Sequence, residues 1–169
     1  MRKQTSLVLV LAYVLFVSSA EAKEPKATGA LDVSVSTPIV TETGELFAPY
    51  MYVGGSIAIP ISKKFVAITG GGVQVAIGKS NYGASGFVTG EYVINGWLAF
   101  DTTMLVSTDI NPALRPVLGR NHTFFLSVGG GPVFFLPKGV GVAVQATYDK
   151  SLDGLGDSIS PSLTLSVPF

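Results

Sequence analysis

From residue 158 onward the chain alternates apolar and small polar positions. Ile159, Pro161, Leu163, Leu165, Val167 and Phe169 share one parity; Ser158, Ser160, Ser162, Thr164 and Ser166 share the other. A period of two is the signature of a β-strand with two unlike faces. The same period recurs upstream and predicts eight strands, over 29–39, 50–61, 64–78, 82–94, 97–107, 122–135, 140–149 and 158–169. Strands of globular proteins more often run 5 or 6 residues, whereas tilted strands that cross a bilayer embed about 9–11. The joins at Ser62-Lys63, Asn95-Gly96 and Leu136 to Gly139 are tight. Those over 40–49, 108–121 and 150–157 are longer, and Lys79 to Asn81 is a brief exception.

On the apolar parity of the eight runs there is no Asp, Glu, Lys, Arg or His once the sixth is counted from Phe124, two residues inside its outer end at His122. A hydrocarbon surround demands this, because Lys or Arg at the midplane of such a face costs about 2–4 kcal/mol. Alternation by itself also suits a soluble sandwich, where the apolar face meets a second sheet. The aromatic residues add a depth order. Phe65, Tyr92, Phe100, Phe134 and Phe169 fall near the tight joins or the end of the last run, and Tyr82, Phe124 and Tyr148 near the longer connections. Two such bands are expected at the two lipid–water boundaries, where amphipathic rings are favoured.

The opening of the chain argues export. Arg2 and Lys3 precede the apolar run Leu7–Val17, and Ala20-x-Ala22 follows as a small-residue cleavage pattern. That layout predicts a signal peptide over 1–22, a short lead-in over 23–28 and a barrel over 29–169. The apolar run is 11 residues, well short of the roughly 20 needed for a helical span. Lys+Arg and Asp+Glu balance at 11 each, so no basic field suggests nucleic acid as a partner. Charged residues are 13% of the chain, about half the usual share in soluble domains. The absence of cysteine excludes disulfides, thiolate metal sites, cysteine nucleophiles and a lipid anchor on cysteine.

With its leader, its alternating ending SLTLSVPF and the aromatic Phe169, the chain resembles the small outer-membrane barrels of the OmpA/OmpX type. The resemblance is architectural and covers residues 29–169. It implies an all-β, closed, antiparallel, up-and-down transmembrane β-barrel of about eight strands, with short periplasmic turns and longer outer loops. It further implies that Leu163, Leu165, Val167 and Phe169 form the signal read by the barrel-assembly machinery.

Candidate chemistry is sparse. Asp32, Glu91 and Asp101 are the acids expected on the interior face, with Glu91 and Asp101 neighbours across the Asn95-Gly96 hairpin. Such a pair does acid–base work if its environments split the two acidities; otherwise it marks a wet lumen end or acids held by a lysine. His122 is the single histidine, and an outer cluster with Ser107 and Asp109 is conceivable for acyl transfer. Lipid A deacylases, one of two enzyme families that share small barrels, carry His-x-Ser, and here Phe124 stands in the serine place. Asp149, Asp153 and Asp157 recur every four residues, though not in the spacing of a calcium loop. Arg115 and Arg120, in the longest loop, suit phosphate groups of lipopolysaccharide. The Gly70–Gly72 and Gly129–Gly131 runs lie inside strands with no Gly-Lys-Ser/Thr after them, so they read as room inside a small barrel rather than phosphate loops.

The expected function is therefore that of a non-enzymatic integral outer-membrane barrel, without cofactor or metal, acting structurally or through its outer loops. Its expected surroundings are outer-membrane lipids and lipopolysaccharide, and its expected state a monomer. The alternatives are a narrow pore for ions or small solutes, a lipid A-modifying enzyme, and a soluble exported barrel around an apolar ligand. Phe87, Leu105 and Phe125 are expected to fill the interior, because eight strands enclose little more than their own side chains.

Overall fold

The structure is a computed structural model that describes residues 27–40, 48–112 and 115–169; the leader and most of the 40–49 connection lie outside them. Its strands are β1 (Thr28–Ser36), β2 (Ile39–Val40), β3 (Tyr50–Pro60), β4 (Phe65–Ala76), β5 (Tyr82–Asn95), β6 (Leu98–Ile110), β7 (His122–Phe135), β8 (Gly141–Ser151) and β9 (Asp157–Pro168). A short helix, α1 (Arg115–Leu118), lies between β6 and β7. Each strand from β3 onward pairs antiparallel with the next, and β1 pairs with both β3 and β9, which closes the sheet. Two-residue β2 continues β1 along β9, so the barrel has eight staves.

The predicted strands are found within a few residues, except at the end of the fifth. There β6 continues past Ser107 to Ile110, pairing as far as Ile110 with His122. Asp109 resembles a loop residue in sequence, but here its carboxylate points into the barrel and the ladder runs through it. Where the interior is polar, an acid on the inner parity does not end a strand.

Register sets the shape. From Asp32 the ladder passes through Gly54, Gly72, Ser85, Ser107 and Phe125 to Ser151. In the other direction it passes through Ser166 to Gly141, so the two arrivals on β8 are ten residues apart. With a rise of ~3.3 Å and a strand spacing of ~4.8 Å, that stagger tilts eight strands by roughly 40°.

Side-chain caps make the tight joins. Asn95 Oδ1 accepts from the backbone N–H of Trp97 and of Leu98, both at 3.0 Å, and Ser62 Oγ accepts from Phe65 N at 3.1 Å. Local polar side chains thereby replace a longer loop.

Burial is reversed relative to a water-soluble core. Among the described residues, sixteen buried residues are polar or charged and seven are apolar, four of these being alanine. The large apolar residues point outward: Phe100, Val144 and Leu165 are 51%, 48% and 42% exposed. The apolar faces therefore do not turn inward, as a soluble barrel around an apolar ligand requires.

Candidate functional site

The outer surface carries an uncharged belt that is apolar apart from threonines such as the exposed Thr69 and Thr102. Val35, Leu163 and Val144 form one cross-strand row of it, in register and all exposed. The eight aromatic residues assigned to boundaries, Phe65, Tyr82, Tyr92, Phe100, Phe124, Phe134, Tyr148 and Phe169, all lie exposed on this face. Tyr82 and Tyr92 are ten residues apart on β5, as are Phe124 and Phe134 on β7. At ~3.3 Å per residue and the tilt above, each pair spans about 25 Å along the barrel axis, matching the apolar band of outer-membrane barrels. Trp97 is a further exposed aromatic at the tight-turn end, stacked on Phe134 with centroids 6.5 Å apart. The predicted fifth strand begins at Trp97 and its parity reads as inward, whereas β6 begins at Leu98 and the Asn95 turn leaves the indole exposed.

Inside, a cavity of about 380 Å³ is lined from Thr28, Gly139 and Pro168 at the tight-turn end to Pro38, Tyr50 and Asp149 at the other. The wall is built by the inward parity, rich in serine and threonine. Phe87 and Tyr52 meet edge to face at 6.5 Å and narrow it, and Leu105 and Phe125 also project into it. Glycines make space for these rings. A Cβ on Gly70 would stand 2.7 Å from the Phe87 ring, and one on Gly72 2.8 Å from the Tyr52 ring. Gly70 and Gly72 thus leave a recess for aromatic side chains, and the neighbouring backbone approaches them just as closely.

The structure buries Asp32, Glu91 and Asp101 on the inner wall and sets Glu91 directly opposite Asp101 on β5 and β6. Asp101 accepts from Gly131 N at 2.8 Å and from the Gln145 side-chain amide. Among the described residues, a backbone amide and a neutral side chain hold this acid, and no lysine does. Two more acids line the cavity, Asp109 and Asp149, the latter accepting from Ser158 at 3.2 Å and from Ser160. Sequence parity carried that information, since residues 107 and 109, and 147 and 149, continue the inner face. Among the described lining residues there is no Lys, Arg or His.

The other candidate clusters do not assemble. His122 takes the outward parity beside Phe124, with ring centroids 5.9 Å apart, whereas Ser107 and Asp109 are buried inside. The alternation that pairs Ile110 with His122 puts the imidazole on the opposite side of the wall from both. Asp149, Asp153 and Asp157 engage separate partners: the two serines, the Arg120–Thr123 segment and the Tyr148 hydroxyl. Asp153 joins the loops of the β6–β7 and β8–β9 connections. It pairs with Arg120 and accepts from Thr123 Oγ1 at 2.6 Å and Phe124 N at 3.1 Å. These contacts, that from Thr123 foremost, hold its carboxyl below the usual carboxylate range.

An apolar exterior with two aromatic bands, a polar interior and full closure define a transmembrane β-barrel of eight strands. Comparison with solved structures gives the same class. The chain is similar to the N-terminal β-barrel domain of Pseudomonas aeruginosa OprF, with a TM-score of 0.55 and 12% identity over 86% of this chain and 100% of that one. It is also similar to Ail, the attachment invasion locus protein of Yersinia pestis, with a TM-score of 0.50 and 12% identity over 87% and 100%. No family model matches the sequence, and no curated protein does.

Proposed function

We propose that this chain is an integral outer-membrane barrel, exported through its leader, whose duty is structural or adhesive and is exercised by the longer loops. The observation that carries the reading is the uncharged belt between two aromatic bands about 25 Å apart. In water so much exposed apolar surface would drive association, and in lipid it is solvated. Both structural neighbours are small barrels, and Ail is described as an attachment invasion locus protein. Of the loop cations, Lys79 and Arg115 suit the phosphates of lipopolysaccharide at the cell surface, while Arg120 is engaged by Asp153. Leu163, Leu165, Val167 and Phe169 lie exposed along β9 and beside it, available to assembly machinery.

The test is fractionation of a Gram-negative host making the full chain, followed by gel electrophoresis in SDS with and without boiling. The expected result is outer-membrane recovery, a faster band before boiling, and protease cleavage in the longer loops on intact cells. A soluble periplasmic pool that runs identically under both conditions would overturn the reading.

A further inference from the structure

The charge inside the barrel is one-sided. Asp32, Glu91, Asp101, Asp109 and Asp149 all line the cavity, and no basic side chain among the described lining residues faces them. They are strung along the axis. Glu91 and Asp101 stand near the tight turns, Asp32 lies midway along β1, and Asp109 and Asp149 lie near the longer loops. A second observation concerns neutral polar groups on the same wall. Ser85 Oγ and Tyr52 Oη are buried without a hydrogen-bond partner among the described residues, as is Asp32 Oδ2. Ser85 is more than nine-tenths buried, and all three residues line the cavity. Groups of this kind are satisfied by water when the space is polar and roomy enough. Carboxylates inside a low-dielectric sleeve stay charged only with compensating positive charge, and no basic side chain among the described lining residues supplies it.

We propose that the lumen is a narrow, water-filled path selective for small cations of the size of Na⁺ or K⁺. Acidic side chains spaced along a pore select cations because the wall focuses their field on the axis. The Tyr52–Phe87 contact marks the narrowing, so unitary currents are small. The proposal rests on the membrane placement above, and its test separates the two.

The full chain is refolded into lipid vesicles, insertion is scored by the unboiled gel band, and only then is conductance read in a planar bilayer under a KCl gradient. The wild-type protein is expected to favour K⁺ over Cl⁻ by about tenfold, falling to within roughly twofold of unity in the combined Asp32→Asn, Glu91→Gln, Asp109→Asn variant. Asp101 is left in place because Gln145 and Gly131 depend on it. Phe87→Ala is expected to raise the unitary conductance while keeping the cation preference. If the combined variant does not insert, the wild-type ratio and Phe87→Ala decide the matter. Inserted protein without current steps, a preference at or below unity, or a preference that survives neutralisation would each overturn the proposal. Failure to insert at all would instead count against the membrane placement.

Discussion

Placing arginine at two depths on one strand face tests whether hydrocarbon solvates the belt. Val88 and Ile94 both lie on the outward parity of β5, 46% and 50% exposed. Val88 is one residue from the midpoint between Tyr82 and Tyr92, whereas Ile94 lies beyond Tyr92, next to the Asn95 turn. Six residues of a strand tilted by roughly 40° put the two side chains about 15 Å apart in depth. Val88→Arg should therefore destabilise the bilayer-inserted barrel by about 2–4 kcal/mol and Ile94→Arg by about 0–1 kcal/mol. Both lose a similar apolar side chain from a similarly exposed place, so the difference isolates depth. The assay is reversible denaturant unfolding in phospholipid vesicles, followed by fluorescence and by the unboiled gel band. In water the two substitutions would be nearly equal and small, as surface changes usually are. A difference below about 1 kcal/mol in vesicles would refute the membrane assignment of this face.

Two further outcomes follow from the wall and the loops. Gly70→Val is expected to cost about 1–3 kcal/mol by overpacking, with Phe87→Ala restoring part of it. The restoration is partial because a Cβ there also meets Ser56 at 2.9 Å and the Gly55 carbonyl; additive effects in a double-mutant cycle would contradict the recess. At the long-loop end, the lowered pKa of Asp153 has a definite sign: its contribution is present above the ordinary carboxylate range and is lost as pH falls through the lowered value. Hydrogen exchange at the Phe124 amide should therefore accelerate in acid beyond its intrinsic pH dependence, and Asp153→Asn should remove that extra step. An unchanged profile in the variant would show that the Arg120–Asp153 contact does not hold the loops.

Local chemistry was enough to place the strands and their faces. Alternation such as that around Leu163 and Leu165 specifies which side chains share a side, because successive residues on a strand point oppositely whatever the sheet does next. Turn residues such as Asn95 and Ser62 act within three positions of themselves, so the tight joins were legible too. The end of β6 was not, because Asp109 is a loop residue beside a dry core and a wall residue in a polar barrel. Closure through β1 and β9, the ten-residue stagger and the resulting lumen are properties of all eight strands together. Only they brought Asp32, Glu91, Asp101, Asp109 and Asp149 around one axis and put His122 on the other side of the wall from Ser107. The sequence alone determined which face is apolar and which is polar. The tertiary structure decided what the polar face encloses, because distances across a barrel depend on strand number and register, which no single segment contains.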